Sequence, residues 1–245
     1  MPSARRLSHQ PEAADTVAAM ASGPRVIAHR GVRSGAATEN TMAAFELALA
    51  AGAEMIELDV RRTGDHQLAI LHDHARAGVA LDSCSLDQFE DRTGFRPPLL
   101  SDVLEWASGR IALDVELKED GYAEQLVPML ESFAAAGNDL LVTSFIDPLL
   151  ARLAQLSPGL ALGLLLEFTA MSAAERAHAA GAGTVLPQMK LVNEPLIDAL
   201  AGAGLELIVW DFMAAEHASL LSDARIAGVI TDDVPGALAA RAALT

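Results

Sequence analysis

The sequence predicts an α/β fold: a (β/α)₈ barrel of the TIM type, with a β-hairpin arm after the second strand and a short insertion behind it. Two observations carry this. Short apolar β-rich runs alternate with Ala-rich helical stretches, and eight such units fall within 245 residues. About half of those residues, 51%, are hydrophobic, which suits one large domain. Apolar strands that alternate with amphipathic helices indicate a parallel sheet. An open doubly wound sheet is the competing architecture. Against it, no GxGxxG follows the first strand.

The elements follow in order. The expected parallel strands cover 25–29, 54–60, 110–117, 140–145, 160–166, 183–188, 205–211 and 227–231. Between them lie helical segments such as ENTMAAFELALAAG, GYAEQLVPMLESFAAAG and NEPLIDALAGAG. Several of these end in glycine, the usual punctuation of a helix C-terminus. Residues 67–73, QLAILHD, break the alternation. They follow EMIELDV after only a few turn residues, too few for a parallel crossover, so this strand must run antiparallel as a hairpin arm. A turn centred near Gly64-Asp65 places Asp59 opposite Leu71 and Glu57 near Asp73. Residues 1–24 carry no apolar core of a signal peptide, and the Arg5-Arg6 pair is followed by polar SHQPEAAD. They are expected to form a flexible N-terminal tail, with a single barrel domain over 25–245.

The formal net charge is −16, which disfavours phosphate backbones and anionic lipid, so no nucleic-acid partner is expected. No apolar run is long enough for stable membrane insertion. The single cysteine, Cys84, rules out an intramolecular disulfide. A cytoplasmic location is expected.

Alternate residues of a strand share a face. Glu57 and Asp59 therefore point together, as do Asp114, Glu116 and Lys118. On the helix side of a barrel, unpaired carboxylates are costly. The barrel mouth at the strands' C-terminal ends is the cheaper place. Converging acids there call for a cation, and oxygen ligands favour Mg²⁺ or Ca²⁺ over zinc. The structural alternative is ion pairing with Arg61, Arg62 or Lys118. His29 ends the first strand and His72 ends the hairpin arm, so both open onto the same mouth. Two histidines flanking a metal-bound, arginine-held anion suit acid/base cleavage of a phosphodiester, with Arg30 as the anion fork. Gly31 would let the backbone approach a ligand closely. His66 and His74 are weaker candidates, in the turn and just past the arm. Thr38 or Asn40 is expected to cap the first helix, with Glu39 favouring its positive end or orienting Arg30 or His29. Asp73 can support His72, and Trp210 is placed either in the pocket wall or in the core.

As an ordered set, IAHRG (27–31), ENT (39–41), IELDV (56–60), LHD (71–73), DVELK (114–118), SF (144–145), VW (209–210) and ITDDVP (230–235) resemble the glycerophosphodiester phosphodiesterase family. The resemblance implies a (β/α)₈ barrel with Glu57, Asp59 and Glu116 as ligands of a divalent metal. It implies His29 and His72 as the acid/base pair, and Arg30 and Lys118 as the phosphate holders. The implied reaction converts small glycerophosphodiesters to glycerol 3-phosphate and an alcohol through a cyclic phosphate. Two departures bear on the alcohol. The segment 75–98 is short, and the family's usual WTVN reads WDFM, with Met213 where asparagine is expected. The short segment keeps open a lysophospholipase D or a cyclising lyase acting on lysophospholipids. A non-catalytic phosphoester-binding barrel is the third reading.

Overall fold

Hydrogen bonding between the first and last parallel strands decides between the two architectures. The computed structural model describes residues 23–35 and 37–244, so most of the expected tail lies outside the described residues. The strands in chain order are β1 (Arg25–His29), β2 (Met55–Arg62), β3 (Leu68–Ile70), β4 (Ala75–Arg76), β5 (Val79–Ala80), β6 (Ala112–Leu117), β7 (Leu140–Ser144), β8 (Leu162–Leu166), β9 (Thr184–Pro187), β10 (Glu206–Val209) and β11 (Gly228–Thr231). Strand β1 pairs in parallel with both β2 and β11, which closes the sheet into an eight-stranded parallel barrel. Strand β3 adds to β2 antiparallel.

Period-2 alternation sorts each strand into two cores. Ile27, Met55, Leu141, Leu165, Leu186, Ile208 and Ile230 pack together inside the barrel. Val26, Ile56, Leu58, Val60, Leu113, Val115 and Leu117 belong to the larger cluster under the helices. Those helices are α1 (Met42–Ala50), α2 (Leu86–Thr93), α3 (Leu100–Ala107), α4 (Ala123–Ala135), α5 (Asp147–Leu156), α6 (Ala173–Ala180), α7 (Glu194–Gly202), α8 (Ala214–His217) and α9 (Val234–Ala242). Helix α1 is capped by Thr41, whose hydroxyl accepts from Ala44 N, and not by Thr38 or Asn40. None of the described helices is long and apolar enough to cross a membrane.

The arm has the expected register. Val60 faces Ile70 and Arg62 faces Leu68, and Leu71 N donates to Asp59 O at 2.9 Å. The turn is tied by Thr63, whose hydroxyl accepts from Gln67 N and donates to Asp65. Beyond the arm, residues 75–98 build a small unit of the β4–β5 hairpin and α2. Its core joins Leu81, Cys84 and Phe89 to Ala69 and Leu71 of the arm. Helix α2 is set by a reciprocal capping box between Ser85 and Gln88.

Candidate active site

Strand register builds the site. His29 lies beside Glu57 in the β1–β2 ladder, and Asp59 beside Glu116 in the β2–β6 ladder. One ligand oxygen from each of Glu57, Asp59 and Glu116 falls within 4.8 Å of the others, and all three residues are buried. This is a group that could hold a metal ion. Its donors are all carboxylate oxygens, the set that hard divalent cations take. Asp59 Oδ1 and Glu116 Oε1 are buried and have the Lys118 ammonium as their partner, and each carboxylate oxygen has a further lone pair for coordination. Lys118 stands as an ion-pair partner 3.3 Å from Asp59 Oδ1 and 2.7 Å from Glu116 Oε1. Arg61 and Arg62 do not neutralise these acids. The Arg61 guanidinium pairs with Glu119, and the Arg62 guanidinium donates to Gly121 O.

The electrostatics reflect three crowded anions. Burial pushes Glu57 well above the ordinary carboxylate range, and the neighbouring Asp59, Glu116 and Asp114 carboxylates push it further. Burial, then Asp59, raises Glu116 to about 8 against the opposing pull of Lys118. Burial also works against ionisation of Asp59, yet Lys118 and Arg30 hold its carboxyl below its usual value. The cluster thus carries fewer than three charges near neutrality without a cation.

Arg30 is fixed from several directions. Its guanidinium donates from Nη1 to Glu39 at 3.0 Å, and Nε sits 3.1 Å from Asp59 Oδ2. Its backbone is left-handed, at φ 57°, a conformation that non-glycine residues hold only when neighbours over-determine it. Arg30 N donates to Glu57 O and Arg30 O accepts from Asn40 N, each at 2.9 Å. Asn40, also left-handed, then donates from Nδ2 to Asp59 Oδ2 at 2.7 Å. So Asn40 serves the acid cluster and not the helix. Gly31 serves packing: a Cβ there would lie 2.7 Å from the Ala44 carbonyl carbon of α1.

Each histidine has a carboxylate at Nδ1. His29 pairs with Asp232 and His72 with Asp73, both at 2.8 Å. An ionised carboxylate only accepts, so Nδ1 carries the proton and Nε2 is left for proton transfer. Arg33 bridges Asp232 and Glu39. The backbone of His72 is anchored by Arg61, whose Nε donates to His72 O at 2.8 Å. His66 is exposed in the turn, and His74 is exposed beside Asp82.

A cavity of about 370 Å³ gathers His29, Arg30, Glu57, His72, Glu116 and Lys118 with Trp210. Glu39, Asp59 and Asp73 do not line it; Glu39 and Asp73 line a smaller cavity that shares His72. Trp210 packs edge-on against Phe145 at 6.0 Å between centroids. The floor includes Asp114, raised by burial to about 7, which accepts a hydrogen bond from Thr143 at 2.7 Å. Asp232, Phe145 and Glu167 have no role in the sequence reading, and Asn40 has only that of a helix cap. For Asp232 and Glu167 a signal existed, since each directly follows a barrel strand at its C-terminal end.

The sequence matches the Glycerophosphoryl diester phosphodiesterase family over residues 29–235. A glycerophosphodiester phosphodiesterase of Caldanaerobacter subterraneus subsp. tengcongensis is 27% identical over 229 residues, covering 85% of this chain and 93% of the relative. The crystal structure of glycerophosphodiester phosphodiesterase from Agrobacterium tumefaciens is similar at a TM-score of 0.76 and 25% identity, over 89% of this chain and 99% of that one. An Oleispira antarctica phosphodiesterase, solved in complex with the product sn-glycerol-3-phosphate, has a TM-score of 0.74 at 22% identity, over 89% and 96% of the two chains. With a family match over residues 29–235, most of its length, the chain belongs to the glycerophosphoryl diester phosphodiesterase family.

Proposed function

We propose that this chain hydrolyses glycerophosphodiesters to glycerol 3-phosphate and an alcohol, in a divalent-metal-dependent reaction that uses His29 and His72 as acid and base. The observation that carries this is the convergence, on one cavity, of Glu57 and Glu116 of the acid cluster with two histidines whose Nδ1 atoms are both tied to carboxylates. The bound product of the Oleispira antarctica relative supports glycerol 3-phosphate as the occupant. Glu57, Asp59 and Glu116 would hold the metal, Mg²⁺ or Ca²⁺. When bound, such an ion supplies Lewis-acid stabilisation of charge on phosphoryl oxygens.

The chain's own groups account for the rest. Arg30 and Lys118 bind and orient the phosphate. One histidine takes, at Nε2, the proton of the glycerol hydroxyl next to the phosphoester as its oxygen attacks phosphorus. The other gives a proton to the departing alcohol oxygen as the P–O bond breaks. The cyclic phosphate then opens with water, and the two histidines exchange roles.

The test is glycerol 3-phosphate release from glycerophosphocholine by the purified protein with Mg²⁺, with Ca²⁺ and with EDTA. Release with metal that is lost with chelator supports the reading. Its absence from a folded, metal-loaded protein overturns it and favours lysophospholipids as substrates, and failure on those as well favours the non-catalytic barrel. One observation keeps the lysophospholipid reading in play. Phe168 and Met171, in the loop after β8 at the mouth end of the barrel, are 82% and 76% exposed. Choline release from lysophosphatidylcholine in the same assay distinguishes the two substrates.

A further inference from the structure

Arg33 lies in the loop that follows β1, and the backbone of that loop is pinned on either side of it. Val32 N donates to Ala44 O at 3.0 Å, and Ser34 and Ala37 exchange backbone hydrogen bonds at 3.2 and 3.0 Å. The Arg33 guanidinium reaches two carboxylates from distant parts of the chain. Its Nη1 donates to Glu39 Oε2 at 3.2 Å, and its Nη2 donates to Asp232 Oδ2. Each carboxylate uses its other oxygen on a cavity residue. Glu39 Oε1 accepts from Arg30 Nη1 at 3.0 Å, and Asp232 Oδ1 holds His29 Nδ1 at 2.8 Å. One run of contacts therefore leaves the cavity at Arg30, passes through Glu39, Arg33 and Asp232, and returns to the cavity at His29. Arg33 itself does not line the cavity. The side chains of Arg33 and Asp232 are 52% and 53% exposed, and ion pairs so open to water add little to stability. What this contact supplies is orientation. A carboxylate this exposed swivels on a single hydrogen bond, and a second one from a rigid fork fixes its plane.

We propose that Arg33 is a positioning residue: it clamps Glu39 and Asp232 together and thereby holds the Arg30 fork and the His29 ring at a fixed setting relative to each other. Its part in turnover rests on the phosphodiesterase reading above, whereas the clamp rests on the contacts alone. A guanidinium suits the task because its donors diverge in one rigid plane and serve two carboxylates at once. A lysine ammonium is a point charge on a flexible stem and would not fix both. The two branches act on different quantities. Through Asp232, Arg33 sets the ring that moves a proton, which bears on kcat. Through Glu39, it sets the fork that binds phosphate, which bears on KM.

The experiment measures kcat and KM for glycerophosphocholine with Mg²⁺ in the wild type, Arg33→Ala and Arg33→Lys, and repeats Arg33→Ala in Asp232→Ala and Glu39→Ala backgrounds. Arg33→Ala should lower kcat/KM by roughly 10–100-fold through both parameters, with the melting temperature close to that of the wild type. Arg33→Lys should recover little of the loss, and full recovery overturns the clamp in favour of charge alone. In Asp232→Ala the further loss of kcat should vanish, and in Glu39→Ala the further rise in KM should vanish. Undiminished effects in those backgrounds overturn the proposal, as do wild-type kinetics in Arg33→Ala. Proton–nitrogen correlation NMR of the Mg²⁺-loaded proteins reads the His29 ring without turnover, its signals identified by their loss in His29→Ala. The wild type should show the proton on Nδ1, and Arg33→Ala a mixture of both tautomers. If the wild type cleaves no diester, the phosphodiesterase reading falls and this spectrum decides the clamp. A changed His29 ring in Arg33→Ala then sustains it, and an identical ring overturns it.

Discussion

His29 Nδ1 and Asp232 Oδ1 lie 2.8 Å apart although 203 residues separate them in the chain. Barrel closure makes the pair, because β1 and β11 are neighbours. The carboxylate sets which ring nitrogen holds the proton. His29 in turn keeps Asp232 below the ordinary carboxylate range through that same hydrogen bond. Asp232→Asn lets the amide donate as well as accept, so the tautomer is no longer dictated. We expect kcat to fall by roughly tenfold or more while the melting temperature changes little. Steady-state kinetics beside a thermal melt checks this, and an unchanged kcat would remove Asp232 from the mechanism.

His29→Ala and His72→Ala should each lower kcat by roughly 10²–10⁴-fold, the range of a single acid or base. Both side chains are about one-third exposed, so folding should survive. Circular dichroism and turnover on one preparation make the check. A variant that keeps near-wild-type turnover loses its proposed role.

Stability should fall with rising pH, and metal should oppose that fall. Folding raises Asp114 to about 7 and Glu116 to about 8, well above their unfolded values. The folded state therefore binds protons that the unfolded chain has already released. This contribution is complete below the unfolded carboxylate values and is lost as pH rises through 7 and 8. In EDTA the melting temperature should fall between about pH 5 and 9. Metal needs ionised ligands, so the gap between melts in Mg²⁺ and in EDTA should widen over the same interval. A gap that narrows with rising pH would count against a metal on Glu57, Asp59 and Glu116.

Asn40→Ala removes the 2.7 Å hydrogen bond that orients Asp59. Groups that orient a metal ligand from behind typically govern affinity, and a loss of roughly 10–100-fold is expected. Isothermal titration with Mg²⁺ and Ca²⁺ measures it. Equal affinity in the variant would show that Lys118 and Arg30 position Asp59 unaided.

Gly31→Ala places a methyl 2.7 Å from the backbone of Ala44 at a residue whose φ is +82°. Backbone cannot give way as a side chain can, and the left-handed conformation adds strain. Urea denaturation should show a loss of about 1–3 kcal/mol. Wild-type stability would mean that α1 tolerates displacement from β1.

Local rules made much of this protein legible in its sequence. Period 2 alone puts Glu57 and Asp59 on one face, and the short turn after β2 dictates an antiparallel arm with Asp59 opposite Leu71. Both follow from distances of a few residues, where covalent geometry leaves little choice. The helices over 42–50, 123–135 and 194–202 fall inside their expected segments, each closed by a glycine with positive φ, at Gly52, Gly137 and Gly204.

Tertiary structure decided what depends on partners far apart in the chain. Thr41 has the geometry to cap α1, which frees Asn40 for Asp59; the sequence offers ENT without saying which residue turns inward. The sequence does not distinguish Glu119 from Glu116 as the partner of Arg61, because that choice turns on which carboxylate the barrel wall carries outward. The Asp232 assignment requires the strand ends to meet around one mouth. The sequence by itself fixed which residues share a strand face. Closure of the barrel decided which strand ends meet, because pairing across 203 residues rests on packing of the whole and not on any local pattern.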